Sequence, residues 1–488
     1  LLNGEQQRGL ASLRAVFALA IDAPMIVARR RDLRPLRRVP GSEVSSLQLR
    51  ASARLAVYAR HRRALREQNT SEIPAIVGSV APPSRVVTLV GLAAVLLMFI
   101  GSRGLIVNGV GNIGQFVPLA AEQLGVVDLV RAYFVGWAPG WFGAASAAPT
   151  YLGIMSAAGV LWFGSWAGLL TLLVVGALVV GPIGAWRLSG VFGAARVRMF
   201  GAVVYAAFPV GILAARDGRR DAIILWALAP WILDFARRIA GLARDEANTL
   251  RETSVRPTGG RRSQLVASLL LVVAVAFTFS PVVLPMVVAL MAVLLVAAPL
   301  TPTPWRASAW LVASLGAAVV ASVVLHAPWS LRFVAGDWWS AFVGVGSPAT
   351  MASLVDVLSL GVDNVVWRAL LVAGYVPVIL MLFVRRGSQA SWITRAFLLV
   401  VVSTALRMAT EHDLVTLALP EPLVLASLTA LGVSMSATAA FAVFVEGRSR
   451  TFTWQQLLAT VSVTAMVAAA APSAVAVADG RWMQPNAT

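Results

Sequence analysis

Asp128 and Arg131 stand three positions apart in VVDLVRAYFVGWAPGWFGAASAAP, residues 126–149. On a helix that spacing puts both side chains on one face. They can pair with each other, or both can face a cavity. In the second arrangement the carboxylate is a base or a metal ligand, and the guanidinium fork grips a phosphate bidentately. Tyr133 and Trp137 follow at once, and Asp337 lies in a second long segment of similar make-up, HAPWSLRFVAGDWWSAFVGVGSP from 326. A lipid phosphate suits this set: arginine for the phosphate, a carboxylate for proton transfer, aromatic rings for a sugar face or an isoprenoid chain. The plainer reading makes Tyr133, Trp137, Trp141, Trp338 and Trp339 anchors at a membrane interface, where ring bodies are half buried and polar edges stay wet.

The elements that must carry these residues are strongly apolar. Of 488 residues 58% are hydrophobic, and the mean hydropathy is +0.79. A soluble domain has no place for that much apolar surface. Long uninterrupted apolar runs recur, and the ten-residue alternation of a membrane β-barrel does not. The fold expected is all-α: a polytopic integral membrane helical bundle of about eleven transmembrane helices, spanning 85–488. Candidate spans are 86–102, 151–181, 199–215, 222–236, 263–279, 282–299, 308–325, 368–384, 392–407, 422–445 and 455–478.

Residues 1–84 differ, with 14 Arg against 6 acids. This block reads as a basic linker with an interfacial helical segment, lying on anionic head groups at the cytoplasmic face. The net charge of +18 belongs mostly to such blocks beside apolar runs, which fits membrane topology and anionic lipid and argues against nucleic acid.

Charge also sets orientation. With 1–84 cytoplasmic and 151–181 crossing once, the seven arginines from 237 to 262 fall inside. Tyr151–Phe163 is then a short re-entrant or interfacial piece. Asp128, Asp337, Asp356, Asp363 and the 411–413 triplet fall outside. The exception is the turn with Arg216, Arg219 and Arg220, which Asp217 and Asp221 partly neutralise. Asp234 is expected at the cytoplasmic interface as a helix-end partner of Arg237 and Arg238, and Arg407 is expected to snorkel. With no charge at the centre of a span, a secondary transporter is disfavoured.

Other chemistries are absent from the pattern. There is no cysteine, so no disulfide framework and no thiol chemistry. His61, His326 and His412 lack ligand spacing, and no metal site is expected. No phosphate-binding G-x-x-x-x-G-K-[ST] occurs. GVGNIG near 109 lacks a strand–helix setting, and no Asp-x-Asp pair of the metal–nucleotide-sugar kind is present.

DLVRAYFVGWAPGWFGAASAAPTYLGIMSAAGVLWFG resembles the opening of the membrane region of large actinobacterial family 2 glycosyltransferases. Asp128, Arg131, Ala132, Tyr133, Gly136, Trp137, Pro139, Ala148 and Pro149 match that pattern, and Ala138 stands where many members carry His. FGAVVYAAFPVGILAARDGR resembles the group's next signature, with Arg216 at the matching Arg. HAPWSLRFV resembles a third through Pro328, Trp329 and Ser330. The resemblance implies a plasma-membrane enzyme of cell-envelope polysaccharide or glycolipid synthesis, whose family 2 catalytic domain lies upstream of Leu1. The bundle then either anchors that enzyme and handles a lipid-linked acceptor or donor, the reading favoured by its few acidic residues, or is itself a transferase that uses a lipid-phosphate sugar. It implies Asp128 or Glu122 as base and Arg131 as phosphate partner. Substrate contacts would come from Tyr133, Trp137, Arg216, Trp329 and Asp337. The chain would need no cofactor of its own, with a polyprenyl-phosphate-linked sugar as substrate. Two other functions stay open: a lipid-linked glycan flippase, and a membrane subunit without chemistry.

Overall fold

The structure is a computed structural model. It describes residues 85–108, 130, 133–134, 137–138, 144–145, 149–161, 166–193, 195–242, 259–301, 305–334, 338–344, 351–384, 387–446, 453–480 and 482. The expected basic linker, 1–84, lies outside them. The chain divides into two compact units. One comprises Leu1–Val80, Asp245–Ala247 and Thr258–Gln264, of which only 259–264 are described. The other holds the helices considered below, apart from residues 259–264.

In chain order these are α1 (Arg85–Gly101), α2 (Arg103–Asn108), α3 (Thr150–Leu161), α4 (Trp166–Leu188), α5 (Ala195–Ala207), α6 (Val210–Arg216), α7 (Arg220–Ile239), α8 (Gly259–Phe279) and α9 (Val283–Ala297). There follow α10 (Trp305–Leu325), α11 (Trp338–Val343), α12 (Leu354–Leu358), α13 (Val365–Ala373), α14 (Val376–Leu380), α15 (Gly387–Glu411), α16 (Pro422–Glu446), α17 (Trp454–Ala469) and α18 (Ala471–Asp479). Two strands of two residues each, β1 (Trp137–Ala138) and β2 (Ala144–Ala145), pair antiparallel with Trp137 opposite Ala145. The fold is an all-α polytopic membrane bundle, as expected. Among the described residues eight helical spans are long and apolar enough to cross a bilayer, with three shorter apolar helices beside them.

Three of the eight are broken at proline. Pro209 precedes α6, Pro377 opens α14 and Pro472 opens α18. Proline has no N–H to continue the preceding helix, so the rod ends there and restarts. The 151–181 run divides as well, into α3 and α4. At 12 residues α3 is about 18 Å long, well short of a hydrocarbon core of about 30 Å. The expected span at 222–236 is α7, 20 residues long but not one of the eight. Its charges and its almost complete burial make it an inner helix, packed against α4, α6, α10 and α16.

Small residues let the inner helices approach, since lipid tails supply little hydrophobic drive between helices. Gly181 and Gly184 of α4 lie under the Trp226 and Trp231 rings of α7, where a Cβ would come within 2.8 and 2.5 Å of them. The Trp231 indole donates to the Val180 carbonyl at 2.9 Å across the same seam. The Tyr205 ring stacks on Trp226 at 5.0 Å, and its hydroxyl donates to the Trp226 carbonyl. The central helix is α16, 83% of whose span is buried. Its Gly432 faces the Ala396 carbonyl of α15, and Thr429 shares a hydrogen bond with Ser403 at 2.8 Å. By contrast α1 turns Leu89, Leu92, Leu96 and Phe99 outward, as a lipid-facing helix does.

Candidate functional site

Glu122, Asp128 and Arg131 lie outside the described residues, as do Asp337 and the Trp137 side chain. The segment just after the first three is described at 133–134, 137–138 and 144–145. The β1–β2 ladder folds it back on itself. Tyr133 packs over Gly153 of α3, where a Cβ would stand 3.0 Å from the ring. It meets Phe134 edge to face at 5.3 Å. Tyr151, on the same short helix, is within electrostatic reach of Arg220.

Arg220 belongs to a charged turn between α6 and α7. Gly218 takes a positive φ of 63° there, the left-handed conformation that glycine adopts without steric cost. Arg216 grips Asp217 with two bonds, Nε to Oδ1 at 2.6 Å and Nη2 to Oδ2 at 3.2 Å. Arg220 reaches Asp221 at 3.5 Å. Arg219 crosses to Glu421, at the start of α16, at 3.0 Å. The sequence reading expected Asp217 and Asp221 to offset this turn, and they do. Glu421, 202 positions further on, was missed. Burial raises the Glu421 carboxyl above the usual carboxylate range, and Arg219 opposes that shift.

Chemically, this end of the bundle offers guanidinium forks whose present partners are half-exposed carboxylates of their own chain. Arg216 is 38% exposed and Asp217 37%. A phosphate can exchange for such a partner, since the fork fits both anions. Burial holds the Glu421 carboxyl protonated to a higher pH than an exposed one. Among the described residues no three His, Asp or Glu side chains gather as a metal site would need.

Trp329 belongs to a different group. It is 8% exposed and packed against Phe277 at 5.3 Å and Phe333 at 5.0 Å. His326 completes that cluster, its ring bonded to the Thr278 hydroxyl at 2.8 Å and the Ser322 carbonyl at 2.7 Å. Asp356 is capped by its own helix start: the Ser353 hydroxyl and N–H donate to it at 2.6 and 3.0 Å. Those bonds, with Arg368 at 3.2 Å, hold its carboxyl below the usual range.

The other end of α7 departs from expectation. Asp234 does pair with Arg237 and Arg238, and it is wholly buried within the protein. It holds Arg237 at 2.5 Å, Arg238 at 2.9 Å and Arg187 of α4 at 3.4 Å. Arg407 does not snorkel either. It is 3% exposed, beside the Tyr375 phenol and within electrostatic reach of Glu411. Arg395, 1% exposed, lies over Trp392 at 4.6 Å. The helices therefore do bury charge, with neighbouring helices packed around it.

No protein-family profile matches the chain, and no curated protein does. Solved structures do align. The arabinofuranosyltransferase AftD from mycobacteria shares 18% identity over 83% of this chain and 27% of its own, with a TM-score of 0.42. The oligosaccharyltransferase AglB of Archaeoglobus fulgidus, in complex with an inhibitory peptide and a dolichol-phosphate, shares 13% over 82% of this chain and 56% of its own, at 0.49. Its apo form gives 12%, 81%, 56% and 0.48. The chain thus spans about a quarter of AftD and just over half of AglB. No residue role transfers at such identities.

Proposed function

We propose that this chain is the membrane portion of a glycosyltransferase of cell-envelope polysaccharide or glycolipid synthesis, handling a lipid-linked saccharide at the end of the bundle that carries Tyr133, Tyr151 and the 216–221 turn. One observation carries the reading. Tyr133 packs over Gly153 of α3, and Tyr151 of the same helix is within electrostatic reach of Arg220 in the 216–221 turn. Two stretches on which the resemblance rests, far apart in sequence, thus lie within electrostatic reach of each other, which supports reading them as one site. In this reading Arg131 and Arg216 take the lipid phosphate, Tyr133 and Trp137 take the sugar or chain, and Asp128 accepts the proton. The end in question faces outward, with 1–84 on the cytoplasmic side.

The test uses the full-length protein with the single changes Arg216→Gln and Asp128→Asn. Membranes are assayed for sugar transfer from a polyprenyl-phosphate donor, with protein level measured alongside. Losing one charge-assisted phosphate contact corresponds to about tenfold to a hundredfold weaker use of donor for Arg216→Gln. Asp128→Asn abolishes transfer at normal protein level. Wild-type transfer by both variants contradicts the reading, and intact transfer with lost glycan export replaces it with a flippase.

A further inference from the structure

A cavity of about 200 Å³ lies between α1, α4 and α5. Met98, Leu178, Ile183, Met199 and Ala202 line it, and its one polar feature is the Trp186 indole. That indole N–H is buried and has no acceptor among the described residues. The cavity runs along α4 from Leu178 to Trp186, about 12 Å at helical rise. One wall, α1, is a lipid-facing helix.

At Trp186 the cavity meets the arginine end of the bundle. Arg198 stacks on the Trp186 ring at 3.7 Å and donates to the Trp186 carbonyl at 3.2 Å. Arg187 is the next residue, lying over Trp231 at 4.7 Å. Gly190 lies under Arg198 Nε and Arg237 Nη2, at 3.7 and 3.8 Å from where its Cβ would be. Arg187, Arg237 and Arg238 thus share the Asp234 carboxylate, and Arg198 lies beside them on Trp186. An apolar slot leads to a concentration of positive charge with a spare N–H at the junction. An anionic amphiphile has the complementary form.

We propose that this cleft binds one anionic phospholipid of the surrounding membrane, its phosphate on Arg187 and Arg198, an ester or phosphate oxygen on the Trp186 N–H, and an acyl chain in the slot. The site is distinct from the one above: it adjoins the end of α7 opposite the 216–221 turn. It fixes α1 against α4 and α5 through a lipid rather than through side chains alone.

Native mass spectrometry of the detergent-purified protein tests this with phosphatidylglycerol, phosphatidylcholine and inorganic phosphate offered separately. Two arginines beside an anionic head group correspond to about thirtyfold preference for phosphatidylglycerol over phosphatidylcholine. One phosphatidylglycerol is expected to stay bound per chain. Arg198→Gln is expected to reduce that preference about fivefold. Ala94→Trp, which fills the slot from α1, removes the bound lipid and keeps the test open should Arg198→Gln not fold. Equal retention of both lipids overturns the proposal. So does protection from unfolding by inorganic phosphate alone, or unchanged retention in Ala94→Trp.

Discussion

Asp234 is the residue on which most depends electrostatically. It faces three arginines, and Arg237 among them is almost fully buried. A buried ion pair contributes little net stability, but removing one partner leaves the other charge uncompensated. Asp234→Ala is expected to lower unfolding free energy by about 3–5 kcal/mol, measured by denaturant unfolding in detergent. A loss below about 1 kcal/mol would mean that the guanidinium groups are solvated after all. Glu421 gives a prediction of the opposite kind. Its carboxyl is raised in the folded state, so the stability it contributes is complete below its ordinary value of 4.5 and is lost as pH rises through the raised value. Glutamine copies the protonated form. The melting temperature of Glu421→Gln relative to wild type should therefore rise as pH climbs above 4.5; a flat difference would refute the assignment. Part of this was legible in advance. Asp234, Arg237 and Arg238 have helical spacing, and the acids beside Arg216 and Arg220 adjoin them. The Arg187–Asp234 and Arg219–Glu421 pairs join residues remote in sequence, and no local pattern announces them. Arg407 misled because its place near a helix end says nothing about Tyr375 packing over it.

At the scale of helices, the apolar runs announced the spans but not their breaks at prolines 209, 377 and 472, since Pro182 and Pro230 sit inside unbroken α4 and α7. The packing partners were not legible, because a glycine in an apolar run looks the same whether it faces lipid or a backbone. Two glycines separate these cases. A Cβ at Gly432 would lie 2.6 Å from the Ala396 carbonyl oxygen, a backbone atom that cannot rotate away. Gly432→Ala should cost about 1–3 kcal/mol by forcing α15 and α16 apart. Nothing lies within 4 Å of a Cβ at Gly176, and there Gly→Ala should add up to about 1 kcal/mol through helix propensity. Thermal unfolding of both variants in one detergent decides it, and equal shifts would contradict the α15–α16 seam.

For the whole molecule, the sequence foretold an all-α membrane bundle. It did not foretell that the two ends of α7 would be so different: one holds paired arginines and acids beside Tyr151, the other an arginine excess on a buried carboxylate. The orientation argued from arginine placement can be tested because the chain has no cysteine. Asp363→Cys should react with a membrane-impermeant maleimide on intact cells, and Arg196→Cys only after the membrane is opened. Reaction of both from one side would invert or abolish the scheme. The site itself is tested most directly by a polyprenyl-phosphate sugar carrying a photoreactive group beside the phosphate, crosslinked to the full-length protein and mapped by mass spectrometry. Adducts are predicted on the 126–149 segment, on α3 and on the 216–221 turn. Adducts confined to the Arg187–Arg198 end would contradict the account.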